Sequence, residues 1–327
     1  MSKLVTIYGG SGFVGRYIAR RMAKEGWRVR VAVRRPNEAM HVKPYGVPGQ
    51  VEPVLCNVRD DASVRAAMIG ADAVVNCVGT FDRGGKNSFA AVQAEAPGRI
   101  ARLAAANGVA TLVHISAIGA DVNGDSLYAQ SKGEGEKAVL DAFPSAMILR
   151  PSVIFGSEDQ FFNRFGAMSR MGPILPVVGG ATRFQPVHVD DVAQAAVKGV
   201  LGQANGVYEL GGPEVASFHD LMVKMLGVIR RRRLVLNIPF FVARIMATGL
   251  DFASALTLGL FPNKMLTRDQ VTSLGRDNVV SPGAKGFADL GITPADMDSV
   301  LPEYLWCYRP SGQYAAIKES AKNLRKA

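Results

Sequence analysis

Along the first half of the chain, short apolar runs alternate with segments whose apolar residues recur every three to four positions. Leu4, Val5, Thr6, Ile7 and Tyr8 form the first run, and an almost unbroken apolar run of this length predicts a strand buried on both faces. Residues 13–25 carry the helical period and end at Gly26, a residue suited to the left-handed turn that stops a helix. Further strands are predicted over 29–33, 51–55, 73–77, 111–115 and 146–150, the second of these weakened by Pro53. Helices are predicted over 60–69, capped by Asp60 or Asp61, over 88–107, closed by Gly108, and over 126–142. Six strands alternating with helices over the first ~150 residues predict an α/β fold, a Rossmann-type doubly wound parallel sheet.

After Pro151 the pattern loosens. A helix is predicted over 160–170, and residues 172–180, rich in Pro and Gly, read as loop. A short strand over 187–189 and a helix over 190–201 return to the sheet. From Gly206 onward short helices and turns predict a smaller, mainly helical C-terminal domain. The expected division is thus 1–205 for the dinucleotide-binding domain and 206–327 for the smaller one.

The first chemistry sits between the first strand and the first helix, in Gly9, Gly10, Ser11, Gly12, Phe13, Val14 and Gly15. Gly9 permits a tight turn, Gly12 lets a pyrophosphate approach the backbone, and Gly15 permits close packing of helix on strand. The helix N-terminus adds unpaired N–H groups and a favourable dipole. A glycine triplet alone is weak; one that follows a strand and opens a helix is a dinucleotide-binding signature. The second strand ends in Arg34 and Arg35, where an NAD site carries an acid for the ribose 2′-hydroxyl. Arginine there pairs with a 2′-phosphate, so NADPH is the expected cofactor. Asn57 and Val58 are expected near the adenine, and Val78 and Gly79 near the middle of the cofactor.

Tyr128 and Lys132 lie four apart on a predicted helix and share a face. An ammonium beside a phenol is expected to lower the phenol pKa, which would let Tyr128 exchange a proton with a carbonyl oxygen while the nicotinamide exchanges hydride. Ser116, at the end of the fifth strand, would hold the same oxygen. Alternatively, Tyr128 and Lys132 are surface residues, or Lys132 holds the nicotinamide ribose without turnover.

Charge widens the picture only slightly. The net charge of +10, from 38 Lys and Arg against 28 Asp and Glu, favours anionic partners. The basic residues are scattered and no nucleic-acid motif occurs, so no nucleic acid is expected. The exception to the scatter is Arg230, Arg231, Arg232 and Arg233, followed by an apolar stretch over 234–241, a helix-like segment with Arg244 and Asp251, and a further apolar stretch over 256–262. Such a cluster can meet anionic lipid head groups or an acidic subunit, or it is a solvated helix end before core helices. Cys56, Cys77 and Cys307 form no close pair, which suits a reducing compartment. The four histidines, His41, His114, His188 and His219, have no metal-binding spacing, so no metal is expected. The apolar strand begins at once after Met1, Ser2 and Lys3, with no sign of a signal or transit segment.

The glycine loop, the set Ser116, Tyr128 and Lys132, and Leu149-Arg150-Pro151 after the sixth strand resemble the short-chain dehydrogenase/reductase superfamily over about the first 200 residues. A narrower resemblance spans nearly the whole chain. It is carried by residues 142–144, by 148–165 with Pro151 and Val153, by Pro186-Val187-His188-Val189-Asp190-Asp191-Val192, and by 266–271. These segments look like the NADPH-binding accessory subunits of respiratory complex I, NADH:ubiquinone oxidoreductase. The resemblance implies NADPH held on the peripheral arm near the quinone site, outside the main electron path, with Pro151 and Val153 among its contacts and other subunits of that arm as partners. With no presequence seen, the expected location is the cytoplasmic face of a bacterial inner membrane. Because Ser116, Tyr128 and Lys132 are all present, an NADPH-dependent reductase or epimerase acting on a small carbonyl substrate stays open, as does an NADPH-responsive sensor.

Overall fold

The computed structural model describes residues 2–80, 85–256, 267–314 and 317. The chain forms two compact units, one made of Met1–Ser152, Val189–Gly211 and Val280–Pro294, the other of Val153–His188, Gly212–Val279 and Ala295–Ala327. The expected single boundary at 205/206 is therefore corrected: the chain leaves the first unit after Ser152 and returns to it twice. The physical reason is strand pairing. Residues 206–210, expected among the short helices and turns of the small domain, form a strand that completes the large sheet, while the segment from Val153 to His188 packs into a separate core.

In the first unit, β1 (Leu4–Tyr8), β2 (Arg28–Val33), β3 (Val51–Leu55), β4 (Ala73–Asn76), β5 (Thr111–Ile115), β6 (Met147–Pro151) and β11 (Gly206–Leu210) form one seven-stranded sheet in the order β11-β6-β5-β4-β1-β2-β3. Every pairing is parallel. The order reverses between β1 and β4, and ligands of doubly wound sheets bind beyond the strand ends at such a switch point. Helices α1 (Phe13–Lys24), α2 (Asp61–Met68), α3 (Ala96–Ala106), α4 (Leu127–Ala142) and α6 (Val189–Val200) connect and cover the strands. Asp60 caps α2 by accepting from the Ser63 N–H at 2.7 Å, and Ser126 caps α4 by accepting from Ala129 at 3.1 Å. On one face of the sheet Tyr8, Val74, Leu112 and Ile148 pack with Ile100 and Leu103 of α3. Each such side chain contributes roughly 1.5–3 kcal/mol by leaving water.

The helix predicted over 88–107 is not uniform: 90–95 is wound more widely, with i→i+5 bonds, and only then does α3 begin. Pro97 has no N–H for the carbonyl of Gln93 four residues earlier, so the ordinary turn cannot close there. Gly135 of α4 accommodates the result, since a Cβ at that position would lie 2.1 Å from the Gln93 carbonyl oxygen.

In the second unit, β7 (Ile154–Phe155) pairs with β10 (Val187–His188), β9 (Arg183–Phe184) with β12 (Ala216–Ser217), and β8 (Ile174–Val178) with β13 (Leu234–Ile238). Its helices are α5 (Phe162–Met168), α7 (Phe218–Val228), α8 (Phe240–Leu256), α9 (Arg268–Ser273) and α10 (Met297–Leu305). Phe155, Phe162, Leu175, Phe184, Phe218, Leu221, Leu301 and Leu305 form its core. Strand β8 corrects the loop expected over 172–180: Leu175 and Val177 alternate inward, and Pro176 is tolerated on an edge strand. The apolar stretch expected over 256–262 lies, but for Leu256, outside the described residues.

The arginine run leads from the turn after α7 into β13. Arg231 and Arg233 are half-buried and donate from Nε to the carbonyls of Tyr308 and Ser169, each at 2.7 Å. Arg230 and Arg232 are exposed, in line with the exposed Leu234 and Leu236, and Leu234 lies opposite the exposed Ile174 of β8. Helix α8 is inverted relative to an ordinary amphipathic helix, burying Ala243 and Ala247 while exposing Phe241, Ile245 and Met246.

Candidate functional site

The candidate site lies in the first unit, at the C-terminal ends of β1, β4 and β5. After β1 the chain turns at Gly9, whose φ is +73° and whose N–H donates to the Ala32 carbonyl at 2.9 Å. A Cβ on Gly9 would lie 3.2 Å from the backbone of Cys77, so the glycine turn and the end of β4 are in van der Waals proximity. A Cβ on Gly15 would meet the Gly9 oxygen at 2.5 Å and the Gly10 Cα at 2.6 Å. Gly15 is thus the residue that lets α1 press onto the turn. Gly12 differs: it is exposed, and a Cβ there would meet only the Gly9 oxygen, at 3.1 Å. No side chain caps α1 at Gly12, and its first turn contains no acid. The arrangement fits an anion with several backbone N–H groups and a favourable dipole. Ser11, Phe13 and Val14 form the rest of the loop, half-buried. Arg16 donates from Nε and Nη2 to the carbonyls of Gly12 and Ser11 at 3.3 and 3.1 Å, a contact that sequence reading did not anticipate.

Arg34 and Arg35, at the end of β2, are exposed. Arg35 pairs with Glu38 at 3.0 Å. Asn57 is exposed and its Oδ1 accepts from the Arg59 N–H at 3.2 Å, while Val58 is half-buried and its carbonyl accepts from Arg99 at 3.1 Å. Val78 donates its N–H to Asn76 Oδ1 at 3.0 Å, next to the exposed Gly79. Pro151 accepts from the Ile118 N–H at 3.0 Å, which ties the end of β6 to the segment after Ser116. Val153 belongs to the second unit, where its N–H donates to Asn278 at 3.0 Å.

Ser116 is buried and its Oγ has no hydrogen-bond partner among the described residues. A buried hydroxyl in that state calls for a partner such as a water or a ligand. Lys132 is buried and its Nζ donates to the Ile115 carbonyl at 3.2 Å. Burial pulls its ammonium pKa down to about 8, while Glu136 and Cys77 act in the opposite direction. Tyr128 is half-buried, its ring edge-on to Phe89 with centroids 6.0 Å apart. The expected lowering of its phenol pKa is not found: burial pushes it up to about 12. Desolvation is the cause of that rise.

Two polar residues inside apolar strands complete the floor. Asn76 and His114 are register partners on β4 and β5, joined between Asn76 Nδ2 and His114 Nδ1 at 3.1 Å. Because Asn76 Oδ1 already accepts from Val78, its amide nitrogen faces the ring, and His114 carries its proton on Nε2, which has no partner. Burial pulls the His114 pKa down to about 3. Both residues interrupt apolar runs, the one signal by which sequence could have flagged them.

Residues 5–211 match the NAD dependent epimerase/dehydratase family. Among relatives, "NADH dehydrogenase [ubiquinone] 1 alpha subcomplex subunit 9, mitochondrial" of Arabidopsis thaliana is 33% identical over 94% of this chain and 79% of its own. The "NADH-ubiquinone oxidoreductase 40 kDa subunit, mitochondrial" of Neurospora crassa is 30% identical over 98% of this chain and 83% of its own. Among solved structures, a dTDP-glucose 4,6-dehydratase from Streptomyces venezuelae with NAD bound superposes with a TM-score of 0.70, at 18% identity, over 96% of this chain and 99% of its own. The chain therefore belongs to the NAD dependent epimerase/dehydratase family, and within it to the branch formed by these NADH dehydrogenase subunits. The names of those relatives also correct one expectation: they are mitochondrial proteins, and the cytoplasmic face of a bacterial inner membrane does not stand.

Proposed function

We propose that this chain is a non-catalytic accessory subunit of respiratory complex I that holds NADPH as a structural ligand on the peripheral arm, near the quinone site, and supports the assembly of that arm. The observation that carries the reading is the similarity to complex I subunits along nearly the entire chain, 94% and 98% of it. The site geometry supports a dinucleotide. The backbone of Gly9, Gly10, Ser11, Gly12, Phe13, Val14 and Gly15 cradles the pyrophosphate, Arg34 and Arg35 meet the 2′-phosphate, and Lys132 holds the nicotinamide ribose. Asn57, Val58, Val78, Gly79 and Pro151 are proposed as further contacts. Arg34 is the better placed of the two arginines, since Arg35 already pairs with Glu38. A ligand held at ~1,000 times its dissociation constant adds about 4 kcal/mol to stability, enough to make the cofactor part of the fold.

When bound, NADPH supplies a hydride donor. For turnover, Tyr128 would have to pass a proton to a carbonyl oxygen, and a phenol near 12 is poorly set for that at neutral pH. The competing reading, a carbonyl reductase or epimerase, draws on the unpartnered Ser116 Oγ. Purifying a tagged chain from native membranes in mild detergent separates the two. Complex I subunits should come with it, and Tyr128→Phe should leave NADH:ubiquinone oxidoreductase activity unchanged. A chain that comes alone and reduces a carbonyl compound overturns the proposal.

The exposed Arg230, Arg232, Leu234 and Leu236, with the exposed Phe241 and Ile245 of α8, suit an anionic bilayer surface: apolar side chains enter the interface and arginines meet head groups. Lipid contact is thus proposed for the exposed Arg230 and Arg232; the half-buried Arg231 and Arg233 donate from Nε to backbone carbonyls.

A further inference from the structure

Lys132 and Glu136 lie one turn apart on α4, both buried, at 6% and 4% exposure. At that spacing they share a face. Glu136 receives Arg150 of β6 in fork geometry, with Nε at 3.0 and 3.1 Å from its two oxygens and Nη2 at 2.6 Å from Oε2. Arg150 is the register partner of Glu209 on β11, and its Nη1 lies 3.5 Å from Glu209 Oε1. The other Glu209 oxygen accepts from the Ser281 N–H at 2.7 Å.

The charges in this row decide its effect. Glu136 and Arg150 alone would cancel, leaving little field at Lys132. The second carboxylate, Glu209, leaves the trio with a net charge of −1, and the row of four is neutral only when Lys132 carries its proton. Buried charge that is not balanced in this way is expensive. The other groups around Lys132 are uncharged near neutral pH. Tyr128 on its own helix is held as a phenol, Cys77 after β4 is pushed up to about 12 by burial, and His114 on β5 is neutral. Glu136 is the anion among them.

We propose that Glu136, anchored by Arg150 and balanced by Glu209, is a positioning residue that keeps the amine of Lys132 charged and fixed in place to hold the dinucleotide ribose. The role in ribose binding rests on the dinucleotide reading above; the charge balance does not.

The test is an NMR titration of the full-length protein labelled with [13Cε]lysine, with the Lys132 signal assigned by Lys132→Arg. In Glu136→Gln the Lys132 midpoint should fall by about one pH unit or more. Glu209→Gln, which removes a carboxylate that does not face Lys132, should move it the same way by less. It also serves should Glu136→Gln fail to fold. Midpoints unchanged in the folded variants overturn the proposal, because a merely structural ion pair would leave that titration alone. NADPH affinity measured on the same proteins should weaken up to ~ten-fold per pH unit above each midpoint. A midpoint that moves while NADPH affinity stays flat with pH overturns the positioning role. Failure of the wild-type protein to bind NADPH at any pH fails the dinucleotide reading instead.

Discussion

Gly12 and Gly15 make opposite demands, and substituting each by alanine separates the fold of the loop from its ligand. In Gly15→Ala the new Cβ would stand 2.5 Å from the Gly9 oxygen and 2.6 Å from the Gly10 Cα. Both are backbone atoms with no rotamer to yield, so α1 must retreat by roughly 0.5–1 Å, at a cost of about 1–3 kcal/mol. In Gly12→Ala the backbone is already at φ −71°, a value alanine adopts freely, and the Cβ meets one atom at 3.1 Å. On the dinucleotide reading proposed above, that methyl would obstruct the pyrophosphate. Thermal unfolding with and without NADPH reads both effects. At 100 times its dissociation constant, NADPH should stabilise the wild type by about 2.7 kcal/mol, a rise in Tm of roughly 5–10 °C for a unit of this size. Gly12→Ala should melt within about a degree or two of the wild type without ligand and lose most of that rise. Gly15→Ala should melt several degrees lower and lose it as well. A full NADPH-dependent rise in Gly12→Ala would refute the assignment of this loop to the pyrophosphate.

Three other perturbations follow from the structure. His114 is held at about 3 against its ordinary 6.5, so between those values the unfolded chain binds the extra proton. Its contribution is intact above 6.5 and falls by about 1.4 kcal/mol per pH unit below it; urea unfolding of His114→Leu from pH 7 to 4.5 should therefore show a shallower loss than the wild type, by close to one proton. Ser126→Ala removes the cap of α4 and should cost about 1 kcal/mol in the same assay. Arg230 is a non-glycine residue at positive φ, +54°, so Arg230→Gly should stabilise by about 1 kcal/mol yet, combined with Arg232→Ser, weaken flotation with vesicles containing an anionic phospholipid; undiminished flotation would remove the lipid contact.

What the sequence made legible was local. The strands Leu4–Tyr8, Val51–Leu55 and Thr111–Ile115 were readable to the residue; in the first and third, a run of apolar positions ends abruptly where the chain meets Gly9 or Ser116. The glycine loop was equally legible, since its chemistry lies within seven consecutive residues. What stayed hidden depends on pairing at a distance. Strand β11 pairs with β6 from about sixty residues further along the chain, and nothing in its own composition distinguishes it from a strand of a second domain. Strand β8 was masked by Pro176, which reads as a breaker until one sees that the strand is paired on one side only. The row Lys132, Glu136, Arg150 and Glu209 draws on a helix and two strands, so no spacing in the sequence announces it. Tyr128 failed for a different reason: the helical spacing was right, but spacing says nothing of desolvation, which sets the phenol.

The most direct test of the central claim is the dinucleotide released when complex I carrying this chain is purified in mild detergent and denatured. The account predicts close to one NADPH per copy of this chain, bound through repeated washing and lost from complexes assembled with Gly12→Ala. Complex I purified without this chain, or with this chain present but only NADH or no dinucleotide released, would contradict it.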